Sequence, residues 1–422
     1  MNKTILFCFC LCSSLIGIAQ NNNSPYSVIG IGDIDNSFYD RTAGMANTGV
    51  ALWSKRNLIQ NNPAAYVHLE DVPFKTGFNI ELAANYNDVS YAGKPVTNST
   101  DNQSTDLQFK KICFAIKLRP KWALSFGMLP YSNSNYSFYE AKQVAGGGFS
   151  VPSYIQGSGN VSQLYIANSF AINKHLSFGV HAAMLFGQFS QVETIIGSSI
   201  SDSSLVTTRN YSVHAPYVKF GLQYNTNITP SWNIALGSTV ALQANLSGIY
   251  DLNVVSGNTN IKTIESDINN YFTIPVSYNN GAAITYNDRF TLAADYSYQP
   301  WTNSNHSGLG YTLTNSQRYS IGGQYANKIK FPNGITVEKF FLQTGFYYSD
   351  SYLKVYGNQI SDIGGSIGAG FNSLKTGIGL SAALLVGSKG TTTQNLVKEN
   401  YTQFNLTISY RDFWFTAKKK YD

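Results

Sequence analysis

The side chains best suited to chemistry are five histidines, His68, His175, His181, His214 and His306, and one cysteine beyond the first twenty residues, Cys113. A transition-metal site needs several His, Cys or carboxylate ligands at short, regular spacing. These histidines fall on separate segments without such neighbours. A nucleophile and base could be paired only as His214 with Asp202 or Ser204, and no motif surrounds them. His175 stands at a turn and His181 on the small-residue face of an alternating segment, so either could line a lumen. A solvated or hydrogen-bonded imidazole is the plainer reading. Cys113, within Ile112-Cys113-Phe114, reads as an inert buried thiol. Gly30-Ile31-Gly32 lacks the strand–helix context of a nucleotide loop. The expectation is a protein that is not an enzyme, with no catalytic residue, cofactor or metal.

The elements that must carry these residues are strands. The chain is 43% hydrophobic and 14% aromatic but only 12% charged, about half the charge of a soluble globular protein. Asn, Ser, Thr, Gly and Tyr fill the gap, which suits a wall with lipid on one side and wet polar residues on the other. From Leu176 to Gly187, Leu176, Phe178, Val180, Ala182, Met184 and Phe186 share one face, opposite Ser177, Gly179, His181, Ala183 and Gly187. The same alternation runs through Ile234, Leu236, Val240, Leu242 and Leu246, and through Phe404, Leu406, Ile408 and Tyr410. Runs of about ten residues have the length of tilted membrane strands.

About fourteen such segments are expected, near 74–92, 106–119, 121–137, 158–173, 175–194, 209–226, 231–250, 270–286, 288–301, 314–328, 336–348, 358–372, 374–388 and 401–416. Short joints such as Asn173-Lys174 and Asn287-Asp288 alternate with long stretches at 93–105, 138–157, 195–208, 251–269, 302–313, 349–357 and 389–400. That alternation is how bacterial barrels distribute periplasmic turns and outer loops. The fold class is therefore all-β, an antiparallel transmembrane barrel in the outer membrane.

The ends fit export. Lys3 precedes an apolar run from Thr4 to Ile18, and Gly17-Ile18-Ala19 supplies the small residues of a cleavage site, so residues 1–19 read as a signal peptide. Losing Lys3 with it takes the formal charge from +6 to +5, too modest to argue for nucleic acid. Phe413-Trp414-Phe415 fits an interface girdle, and residues 417–422, with Lys418-Lys419-Lys420, read as a periplasmic tail. This sets the barrel at 74–416. Residues 20–73 do not alternate, yet Trp53, Leu58, Ile59, Tyr66 and Leu69 offer apolar surface to bury, as a lumenal plug would.

Within that segment, Gly44-Met45-Ala46-Asn47-Thr48-Gly49-Val50-Ala51-Leu52 and Asn62-Pro63-Ala64-Ala65-Tyr66 resemble the N-terminal signature of the FadL-type outer-membrane transporters. Ser24-Pro25-Tyr26, Gly30-Ile31-Gly32-Asp33 and the Trp414-Phe415 ending are similar to the version found in Bacteroidetes-type proteins. Ala65 and Tyr66 stand where that family usually has Gly and Leu, and no ligand-site residue is carried over. The resemblance implies a fourteen-stranded barrel with an N-terminal hatch, passing hydrophobic or amphipathic molecules of the fatty-acid or hydrocarbon class. Gly44, Gly49, Asn62 and Pro63 are the gating candidates. The partners expected are outer-membrane lipid and a hydrophobic ligand. The alternative is an accessory or plug barrel bound to a larger subunit of a type IX secretion complex.

Overall fold

In the computed structural model, residues 24–70, 75–93, 102–143, 148–195, 204–304, 307–308, 310–330, 336–373 and 376–415 are described. The expected signal peptide, the C-terminal tail, His306, Asp202 and the 73/74 boundary lie outside them. Among the described residues, fourteen antiparallel staves close into a barrel. They are β1 (Lys75–Gly93), β2 (Gln103–Arg119), β3 (Trp122–Gln143), β4 (Ser150–Ala171), β5 (Leu176–Ile195) and β6 (Leu205–Asn227). Next come β7 (Trp232–Ala241 continuing as Ala244–Ser256) and β8 (Thr259–Ile274 continuing as Ser277–Tyr286). The rest are β9 (Phe290–Gln299), β10 (Ser316–Lys330), β11 (Thr336–Val355), β12 (Asn358–Asn372), β13 (Ile378–Gly390) and β14 (Val397–Phe415). β14 pairs with β1 from Val397–Gly93 to Phe415–Lys75, which closes the cylinder and leaves no edge there.

The alternation read from the sequence sets which side faces lipid. On β5, Phe178, Val180, Ala182, Met184 and Phe186 point outward while Ser177, Gly179, His181 and Leu185 point in. Outward Leu82, Phe126, Leu164, Leu236, Leu292, Ile321, Ile367 and Ile408 repeat this around the wall. At the short-turn end, ring pairs such as Phe78–Trp414, Trp232–Tyr286 and Phe290–Tyr325 form an aromatic girdle. This is an outer-membrane barrel.

All fourteen expected strands are present, but the long connections need correcting. Segments expected as loops at 138–157, 251–269 and 349–357 are largely ladder, and 389–400 is so at both ends: β7 turns into β8 through Gly257-Asn258, and β11 into β12 through Tyr356-Gly357. Beyond the bilayer both faces of a stave are wet, so the apolar alternation fades although the backbone ladder continues. The upper part of β8 shows it, with Thr259 to Glu265 exposed or half-exposed on both faces.

Candidate functional site

Residues 24–70 lie inside the barrel as short 3-10 turns joined by extended chain. Two of the turns are capped by their own side chains. Asp40 accepts from the Thr42 amide at 2.8 Å, and Asn62 accepts from the Ala64 amide at 3.0 Å before Pro63 sets the first turn. Tyr26 and Ile31 join Leu185, Phe272, Trp301 and Tyr352 in an apolar core within the long-loop half of the lumen.

A belt of small inward residues lets this chain approach the wall. Gly179 of β5 and Gly221 of β6 face each other and receive Pro63; Gly237 of β7 and Gly281 of β8 face each other and receive Val50. Gly322 of β10 and Gly345 of β11 receive Met45, and Gly368 of β12 receives Gly44. A Cβ at any of these wall positions would run into the segment. Between them on β9 sits Asp295, whose carboxylate accepts from the Gly49 amide at 2.6 Å and the Val50 amide at 3.0 Å. Gly49 itself packs on Asn61 and Thr42, and the Asn62 amide donates to Val50 O at 3.0 Å and Leu222 O at 2.9 Å. Gly44, Gly49, Asn62 and Pro63 are thus gathered at one level of the lumen, all four in contact with the wall and Gly49 packed against the segment as well.

Charged wall residues hold the rest. Arg41 makes a two-pronged pair with Glu338 of β11 at 3.0 and 3.2 Å, bonds Gln324 at 2.9 Å and lies 4.2 Å from the Phe341 ring centre. Glu81 of β1, buried and paired with Lys111 at 2.7 Å, accepts from the Leu58 amide at 2.7 Å. Gln223 donates to Val50 O and Leu52 O. Arg411 pairs with Glu70, and Lys117 donates to Val67 O. Sequence reasoning missed these partners, although a charge on the small-residue face of an alternating strand is a visible signal for them.

The histidines do not converge. His68 stacks on Trp53 at 4.9 Å inside the segment, where burial, reinforced by Lys117, holds its imidazole down at about 4. His181 packs on Tyr165 at 4.6 Å, 3.2 Å from Gln163; His175 is on a turn and His214 is exposed on β6. Cys113 is fully buried. Among the described residues no group of His, Cys and carboxylates is placed to hold a metal ion.

Among the described residues, the wall parts between β2 and β3. β2 and β3 pair only from Arg119–Trp122 to Ile112–Met128, and beyond that fork they separate. Pro130 stands at the fork without an N–H, the β3–β4 register shifts beside it, and a second shift at Lys110 bends β2. The edge of β3 so exposed is taken by the N-terminal segment: Asp33 and Ile34 pair with Asn133 and Ser132, the Asp35 amide donates to Tyr131 O at 2.9 Å, and the Ser24 amide donates to Asn135 O at 2.8 Å. Outside the seam is a cleft of about 480 Å³ and inside it a lumenal cavity of about 190 Å³. Lys110 and Asn133 line both.

A sequence-family profile described as BamG matches residues 1–422. The chain belongs to the BamG family. No curated protein sequence matches it. Among solved structures, this BamG-family chain is similar to the Ralstonia pickettii toluene transporter TbuX (TM-score 0.59, 14% identity, 88% of this chain and 97% of that one). It is similar also to the Pseudomonas putida toluene transporter TodX (0.58, 16%, 89% and 98%) and to a Pseudomonas aeruginosa FadL homologue (0.56, 14%, 90% and 99%). At these identities the likeness is one of fold: this BamG-family barrel has the fold of the toluene transporters and the FadL homologue.

Proposed function

We propose that the protein is an outer-membrane channel for hydrophobic or amphipathic small molecules, of the fatty-acid or hydrocarbon class, and that residues 24–70 are its hatch. The observation that carries this reading is the seam: a forked wall, sealed by chain from the N-terminal segment, with Lys110 and Asn133 common to the outer cleft and the lumenal cavity. A sealed barrel with a filled lumen offers a ligand no straight path, whereas a lateral step through the seam connects the bilayer with the interior. Phe109, Ile112, Met128 and Leu129 give the cleft an apolar lining beside its polar one. That toluene transporters share the fold supports the substrate class. In this reading the energy source is the gradient of the ligand itself.

A photoreactive fatty acid, irradiated with the protein in lipid nanodiscs, tests the route. Labelled peptides are expected to cluster on Phe109, Met128 and Pro130 and to be competed by toluene or unlabelled fatty acid. Uniform labelling of the lipid-facing wall would contradict it. A single stoichiometric partner on purification from membranes, with no co-purified hydrocarbon, would favour the accessory-barrel reading instead.

A further inference from the structure

The lumen opens at the short-turn end into a second cavity, of about 410 Å³, which nothing in the proposed route uses. Cations reach it from three places: Arg41, Lys55 and Arg56 of the N-terminal segment, Lys174 of the β4–β5 turn, and Lys328 of β10. Three carboxylates also line it. Glu338 is bound by Arg41 and Glu70 by Arg411, while Asp288 stands on the β8–β9 turn near Lys328. Among the described residues Lys55, Arg56 and Lys174 have no carboxylate within ion-pair distance; the guanidinium of Arg56 reaches only Ser373 O, at 3.4 Å. Burial pushes the Arg56 guanidinium down from its ordinary value, and the Glu338 carboxylate, already bound by Arg41, offsets only part of that. Leu52, Trp53, Ile59, Ala235 and Ala283 give the cavity apolar lining beside polar Asn and Thr side chains.

We infer that this mouth is a binding site for an amphipathic organic anion, its carboxylate or phosphate held by Lys55, Arg56 and Lys174 and its apolar part laid on Trp53 and Leu52. The volume falls in the range of small-molecule pockets, and short turns put the mouth on the periplasmic side. A planar guanidinium flanked by two mobile ammonium groups suits either anion. The site stands whether or not the barrel conducts.

The test uses the full protein in nanodiscs and Trp53 fluorescence, with Trp53→Phe identifying the signal. Hexanoate and hexyl phosphate are expected to change the signal saturably, and the tighter of the two names the preferred head group. Hexanol and hexyltrimethylammonium are expected to leave it unchanged. K55Q/K174Q is expected to weaken anion binding at least tenfold, and K174Q alone about threefold. Both lysines are solvent-exposed, and a heat-modifiable band confirms that the variants fold. Equal binding of hexanol, or unchanged binding by the double variant, overturns the site. Equal binding of inorganic phosphate and hexyl phosphate overturns its apolar half. Loss of the site with fatty-acid labelling of the seam intact would leave the channel reading untouched.

Discussion

Gly237 and Gly281 show how single residues decide whether the N-terminal segment fits. They face each other across β7 and β8, and Val50 lies on both. Gly237→Ala puts a methyl group against the Val50 carbonyl, an overpacking that costs about 1–3 kcal/mol. The expected outcome is faster proteolysis of residues 24–70 with unchanged heat-modifiability of the barrel. Gly323→Ala, at an outward glycine with open space around it, is expected to do neither. His68 gives the segment a pH dependence. Its imidazole is held down at about 4 when docked and returns to about 6.5 when released. Below about pH 6.5 the released form therefore binds the extra proton, so docking weakens as the pH falls towards 4 and is unaffected above 6.5. The full effect is about 3 kcal/mol. Protection factors at residues 64–69, taken against the intrinsic exchange rate at each pH, should fall between pH 6.5 and 4.5, and His68→Gln should remove that part of the fall. An identical pH profile in the variant would sink the assignment.

At the scale of elements, the fork between β2 and β3 matters most. Deleting Ser24–Asn36 removes the chain that covers the β3 edge. Exchange is expected to increase at residues 131–135 while 122–128, paired on both sides, stay protected. Equal protection of both stretches would mean that the N-terminal chain does not seal the seam. The sequence shows β2 and β3 as alternating strands and Pro130 as a residue unfit for a central ladder, yet nothing in it says that the strands part there. That depends on register, which two bulges set together. The staves were legible because lipid outside and small residues inside impose a period of two. Their extensions past the bilayer were not, because water on both faces removes that period. The gating candidates Gly44, Gly49, Asn62 and Pro63 were legible as a motif. Their partners Gly221, Gly237, Asp295 and Glu338 were each visible as small or charged residues on an inward face, but only closure of the barrel brings them to one level.

The whole molecule is two bodies with different sources of stability. The barrel is a closed antiparallel ladder, with β2 and β3 paired to each other only next to their short turn. The segment is held to it by close backbone approach, buried hydrogen bonds and ion pairs to the wall, and by strand pairing along β3 at the fork. In the proposed function the segment closes a passage that the barrel otherwise provides. The most direct measurement compares the full chain with a variant lacking residues 24–70, reconstituted in planar bilayers and in proteoliposomes loaded for fatty-acid uptake. The expected result is a folded, heat-modifiable barrel with higher conductance and faster uptake than the full chain. A folded barrel with unchanged conductance and uptake would contradict it.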